Sequence, residues 1–236
     1  MADKNNKTST KDLLLKAAEE FFTERGYAAV STRELAEKAG VNLGAIQYHF
    51  GSKTQLFVET IRNMMSRQKG AVSVFSEGRP PETREEAAVD LFFLVRGFVS
   101  EMCHPKGPDA CRVMHREVLG ATSQNAELLE VLVSSVVDEF FCPFDDDLML
   151  IVRLLAPNVE ERELEMVAHS IYGQCSFYPM DKPYIERIRG IDYTKEPYLL
   201  KVCEHIASFT LKGLGFSEVE IETALKCVKE KGNYKK

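Results

Sequence analysis

Thr32-Arg33-Glu34-Leu35-Ala36-Glu37-Lys38-Ala39-Gly40-Val41-Asn42-Leu43-Gly44-Ala45-Ile46-Gln47-Tyr48-His49-Phe50 is the stretch that decides how this chain folds. Leu35, Ala36 and Ala39 fall on one packing face at helical spacing, and Ala36 is small enough for a second helix to cross nearby. Gly40 suits the positive φ that a tight turn after a helix demands. Val41 and Ile46 plug the angle between the two helices. The spacing predicts two short helices meeting steeply through a turn of a few residues. The outer face of residues 42–49 is then free to enter a major groove. Helix pairs that bind nothing can share this spacing, so the flanking residues carry weight.

Outward from that corner the pattern is helical throughout. A helix is expected from Lys11 to Arg25, with Leu14, Ala17, Ala18, Phe21 and Phe22 as its apolar stripe and Gly26 as its stop. Ser31 and Glu34 have capping-box spacing, and Ser52 and Gln55 open a fourth helix reaching about Phe75. Ser76-Glu77-Gly78-Arg79-Pro80-Pro81 breaks the chain. Beyond it, Thr83 and Glu86 cap a helix over Ala87–Met102, and another follows from Asp109 to about Ala121. Ala126 to Leu155 reads as one long helix kinked near Pro143, where a backbone donor is missing. Asn158 and Glu161 are expected to cap a helix ending near Tyr178. Residues 179–197 hold three prolines and read as an irregular connection with at most one short helix. Glu196 to Leu214 is helical, and Ser217 with Glu220 caps the last helix. No sustained alternation rich in Val, Ile and Thr is present, so the fold class is all-α.

The 236 residues are 44% hydrophobic, enough for a substantial core. The net charge of −6 is unevenly spread. Residues 1–69 carry 11 Lys and Arg against 8 Asp and Glu, while the remainder carries 19 against 28. A mildly basic head on an acidic body fits a chain whose head alone meets phosphate. No stretch approaches the roughly 20 apolar residues of a membrane span, and the polar start Met1–Lys7 lacks a signal-peptide core. No membrane association is expected, and the cytoplasm is the expected location. The six scattered cysteines are expected to act as small hydrophobes. Cys103, His104, Cys111 and His115 match no compact zinc spacing, and Asp145-Asp146-Asp147 reads as a helix cap after Pro143, so no metal or cofactor is expected.

Phe21-Phe22-Thr23-Glu24-Arg25-Gly26-Tyr27, Ser31-Thr32-Arg33, Gly40-Val41-Asn42, Ile46-Gln47-Tyr48-His49-Phe50 and Gly51-Ser52-Lys53-Thr54-Gln55-Leu56-Phe57 together resemble the TetR/AcrR family of one-component regulators. The resemblance covers roughly residues 10–60, with one departure at Gln47, where many members carry Tyr. It implies a DNA-binding helix-turn-helix domain over 1–56 and a helical effector-binding and dimerisation domain over 57–236. Phosphate contacts would fall to Thr32, Tyr48, His49 and Lys53, the last at a helix N-terminus that favours anions. Base reading would fall to Arg33, Asn42, Leu43, Gly44, Ala45 and Gln47. Tyr48 should point outward and Phe50 inward.

Arg116-Glu117-Val118-Leu119-Gly120, Ile171-Tyr172-Gly173-Gln174-Cys175-Ser176-Phe177-Tyr178 and His205-Ile206-Ala207-Ser208-Phe209 resemble the CecR/YbiH-like branch of the same family. The family implies a homodimer on a palindromic operator in double-stranded DNA. Leu199, Val202, Cys203, Ile206, Phe209 and Thr210, with Ile171, Cys175 and Tyr178, would build either an intermolecular four-helix bundle or an internal core. For a small-molecule effector, Phe92, Met114 and Phe141 are candidate walls, as are Phe93, Phe98, Met102, Phe140 and Phe144; plain core is the alternative. Arg96 lies in an apolar run and would meet either an anionic ligand or a protein carboxylate such as Asp90 or Glu101. The expected function is a repressor released by its effector, with activation as the same linkage reversed. The alternatives are an enzyme, for which no phosphate loop, nucleophile elbow or His-Glu metal motif is present, and a helical module whose head binds protein.

Overall fold

The structure, a computed structural model, describes residues 9–67, 75–103, 109–120 and 126–231. Among the described residues there are twelve α-helices and one π-helical turn. In chain order they are α1 (Thr10–Arg25), α2 (Thr32–Ala39), α3 (Gly44–Phe50), α4 (Lys53–Ser66), α5 (Arg84–Cys103), α6 (Asp109–Leu119), α7 (Ala126–Val136), the π turn (Val137–Phe141), α8 (Cys142–Leu155), α9 (Glu161–Met180), α10 (Lys182–Arg189), α11 (Tyr198–Gly213) and α12 (Glu218–Glu230). No strand occurs among the described residues.

The chain divides into two compact units that are discontinuous in sequence. The first comprises residues 1–69 and 109–141, the second 70–108 and 142–236. The unit that carries the helix-turn-helix therefore also contains α4, α6, α7 and the π turn.

Local chemistry accounts for the first unit's helix ends. Ser9 with Asp12 and Ser31 with Glu34 form reciprocal capping boxes, and the Ser52 hydroxyl accepts from the Gln55 N–H. Gly40 closes α2 in the left-handed region at φ 66°, as its place in the corner requires. The core gathers Leu14, Phe22, Leu35, Ile46, Phe57 and Ile61 from α1 to α4 with Val113, Leu128 and Leu132 from α6 and α7. In place of one long helix over 126–155, the segment is α7, the π turn and α8, the π turn ending two residues before Pro143. The Arg62 guanidinium meets this segment, donating to the Ser135 carbonyl at 3.1 Å and pairing with Glu139 at 3.2 Å.

In the second unit α5 is the central element, packed by α8, α9, α11 and α12. Its apolar residues, among them Leu91, Phe92, Val95 and Val99, are almost fully buried. Ser217 and Glu220 form the expected box at α12, and Thr83 caps the Glu86 N–H at 3.1 Å. Asn158 does not cap α9: the N-cap is Glu160, with no side-chain bond. Ile171, Cys175, Val202, Cys203, Ile206 and Thr210 all lie buried inside the protomer. The internal core is therefore the role those residues take. Of the stripe considered for an intermolecular bundle, Phe209 is the member that stands out, 61% exposed.

Candidate nucleic-acid interface

The turn at Gly40 and the burial of Ile46 and Phe50 fix the rotation of α3 about its axis. Its opposite side is left in solvent. Asn42, Leu43, Gly44, Gln47 and Tyr48 are exposed, Tyr48 to 85%, while Ala45 and His49 are half-buried at the edges. Tyr48 points outward and Phe50 (8% exposed) inward, as the pattern of the corner predicts. The Tyr48 and His49 rings meet edge to face at 4.9 Å. Asn42 does more than stand on the reading face. Its Oδ1 accepts from the Gly44 N–H at 2.8 Å, which orients the side chain and leaves both amide hydrogens and the second oxygen lone pair for an outside partner.

Thr32 is half-buried at the first position of α2. Arg33 is exposed and its Nε donates to Glu37 at 3.0 Å across one helical turn. Such an exposed pair contributes only about 0.3–0.5 kcal/mol, so it yields readily to a better acceptor. Glu34 is held firmly. The Ser31 hydroxyl and N–H, and then Arg25, lower its carboxyl to about 2.

Lys53 occupies the first position of α4 and is half-buried. Its ammonium lies 4.0 Å from the centre of the Tyr27 ring. Burial lowers its pKa, opposed by the negative charges of Glu117 and Glu34. Tyr27 in turn shares a hydrogen bond of 2.9 Å with the Thr54 hydroxyl, and its N–H donates to Glu117 at 2.9 Å. Tyr27 thus positions Lys53, and Glu117 positions Tyr27. Arg116 completes the arrangement, its guanidinium donating to the carbonyls of Thr23, at 3.1 Å, and Phe22 at the end of α1. Gly26 sits in this corner at φ 81°, where an added Cβ would lie 3.1 Å from the Glu117 carboxylate. Sequence reasoning missed these positioning roles for Tyr27, Arg116 and Glu117, because the two ends of the contact are 90 residues apart.

The effector candidates are divided between the two units. Phe92, fully buried, belongs to the core of the second unit, and Arg96 is half-buried on the same helix. Met114 belongs to the core of the first unit, with Phe141 packed against it. Asp90, one of the carboxylates considered for Arg96, is 1% exposed and accepts from the Ser76 N–H at 2.8 Å. Phe98, Phe144 and Tyr172 form an aromatic triangle in the second unit, with centroids 5.1, 5.7 and 5.5 Å apart. His104 and the side chains of Cys103, Cys111, His115 and Glu101 lie outside the described residues. Among the described residues, no group of three or more His, Cys, Asp or Glu could hold a metal.

Residues 14–60 match the family model described as "Bacterial regulatory proteins, tetR family". Residues 87–214 match the one described as "HTH-type transcriptional dual regulator CecR, C-terminal domain". The HTH-type transcriptional activator FasR of Mycolicibacterium smegmatis is 36% identical over 84 residues, 34% of this chain. The chain thus spans only 37% of the length of that curated relative. The HTH-type transcriptional regulator RutR of Escherichia coli O157:H7 is 20% identical over 207 residues, 88% of this chain and 91% of RutR. Among solved structures, a TetR transcriptional regulator from Agrobacterium tumefaciens superposes with a TM-score of 0.56 at 12% identity, covering 92% of this chain and 98% of that one. That last likeness is one of fold.

Proposed function

Because the chain belongs to the tetR family of bacterial regulatory proteins and carries a CecR-type C-terminal domain, we propose that it is a sequence-specific DNA-binding transcriptional regulator, a repressor released by a small-molecule effector. The observation that carries the reading is the exposed side of α3. Five polar, small or apolar residues face water there, while Ile46 and Phe50 anchor the helix from behind. Gln47 and the Asn42 amide suit base edges in a major groove, with Arg33 beside them once it leaves Glu37. Leu43, Gly44 and Ala45 give close apolar approach. Thr32, Tyr48, His49 and Lys53 hold phosphate and set register.

Two such heads reading paired half-sites require a homodimer. The outward faces of α9 and α11, with Met166, Phe177 and Phe209 exposed, are the surface that supports one. The effector is proposed to meet either Phe92 and Arg96 in the second unit or Met114 and Phe141 in the first, and its binding shifts the dimer away from the operator-competent population. The relatives are named as transcriptional regulators, which sets the enzyme alternative aside. No described helix is long and apolar enough to cross a membrane.

The test is the double variant Lys53→Ala with His49→Ala, compared with wild type by fluorescence anisotropy on the selected operator and on unrelated duplex. Affinity should fall on every sequence, and the salt dependence should flatten by about one charged contact's worth of slope, that of Lys53. Unchanged binding at all salt concentrations overturns the phosphate assignment.

A further inference from the structure

Lys11 is the second residue of α1, whose start is fixed by the box of Ser9 and Asp12. A cation there opposes the positive end of the helix dipole, so helix stability does not account for it. Its ammonium lies 5.7 Å from the centre of the ring of Phe50, the last residue of α3. The start of α1 is thereby set against the end of α3, next to Tyr48 and His49. Lys53, at the start of α4, has the same arrangement over the Tyr27 ring. Two lysines thus stand in the first turns of two helices, each on an aromatic face and each beside the end of α3.

The two differ in how firmly they are held. Lys53 is half-buried, whereas the Lys11 side chain is exposed. Lys11 pairs with Glu59 of α4 at 3.7 Å, too long for a hydrogen bond. An exposed pair of that length is weak. The neighbouring Asp12 carboxylate is occupied by the Ser9 hydroxyl and N–H. Glu59 keeps a second cation in reach, Arg62, also at 3.7 Å and nearly one turn further along α4. Arg62 is anchored in its turn by the Ser135 carbonyl and by Glu139. Glu59 therefore stays paired when Lys11 leaves it, and a stronger acceptor can draw the ammonium off at little cost.

We propose that Lys11 is a further phosphate-binding residue of the head and that Glu59 restrains it. In the free protein Glu59 holds the ammonium beside Phe50. On a duplex the phosphate takes the lysine, and Arg62 keeps Glu59. This rests on the DNA-binding reading above and adds a contact from α1 to those of α2, α3 and α4. A phosphate contact carries no sequence information, so its loss falls on every duplex alike. The Lys11 stem can pack on Phe50 without its charge, whereas phosphate responds to the charge; Lys11→Met separates the two.

Fluorescence anisotropy on a mixed-sequence duplex across a range of salt concentrations tests both parts. The full-length chains compared are wild type, Lys11→Met, Lys11→Arg, Glu59→Gln and Lys11→Met/Glu59→Gln. Lys11→Met should match wild type in circular dichroism and bind about three- to tenfold more weakly at low salt. It should also lose about 0.9 from the slope of log affinity against log salt, while Lys11→Arg keeps both affinity and slope. Glu59→Gln should bind about threefold more tightly than wild type, with a smaller gain in the Lys11→Met background. A wild type that binds no duplex at any salt concentration overturns the DNA reading itself. A folded Lys11→Met chain with the wild-type slope overturns the Lys11 contact while the DNA reading stands. A Glu59→Gln gain that is as large in the Lys11→Met background means plain repulsion of phosphate, and overturns the restraint.

Discussion

The carboxylate of Glu117 accepts a hydrogen bond of 2.9 Å from the backbone N–H of Tyr27. It thereby ties α6 to the residue whose ring carries the Lys53 ammonium. Glu117 is 8% exposed, so the bond is protected from competition by water. Replacing it by alanine orphans a part-buried donor and should cost about 1–3 kcal/mol of stability in chemical denaturation. Glu117→Gln keeps an acceptor and should cost less. Equal losses for the two variants would mean that packing, not the hydrogen bond, is what Glu117 supplies.

The start of α2 rests on the Ser31–Glu34 box. Ser31→Ala should destabilise the protein by about 1 kcal/mol, since the Glu34 N–H loses its acceptor. The Glu34 carboxyl, held at about 2 by Ser31 and Arg25, binds its proton more weakly when folded. Its stabilising effect is therefore complete above the unfolded value near about 4.3 and is lost as pH falls toward about 2. A carboxyl titration followed by NMR should show that low midpoint in wild type and a higher one in Ser31→Ala. An identical midpoint in both would remove the box as its cause.

Asp90 behaves in the opposite sense. Burial raises its carboxyl above the ordinary value, ahead of the lowering by its hydrogen bonds from Ser76. The folded state then binds the proton more tightly than the unfolded chain, and stability declines as pH climbs through that interval. Asp90→Asn retains an acceptor for the Ser76 N–H and removes the buried charge. Its melting temperature should exceed that of wild type at pH 7, with the gap closing below about pH 4. A variant that melts lower than wild type at pH 7 would contradict this.

Much of this was readable from the chain alone where the determinants are local. Gly40, the boxes at Ser31 and Ser217, and the inward Ile46 and Phe50 each act within a few residues of themselves, and sequence spacing exposes them. Contacts across long separations were not readable. Nothing near Tyr27 announces Glu117, and nothing near Arg62 announces the Ser135 carbonyl beside the π turn. The apolar stripe of α11 was legible as a stripe, but periodicity does not say which neighbour covers it. In the fold α5 does so, and the exposed row lies one step round, at His205 and Phe209. The double use of Asn42 also escaped a reading that gave it a single role.

The central claim is that the solvent side of α3 reads duplex DNA. Its most direct measurement is selection of bound sequences from a random duplex pool. Wild type is compared with a triple variant, Asn42→Ala, Gln47→Ala and Tyr48→Ala, whose folding is checked by circular dichroism. Wild type should enrich a palindrome of two half-sites, and the triple variant, equally helical, should enrich none. The claim is contradicted if the variant recovers the same palindrome, or if folded wild type enriches no sequence at all.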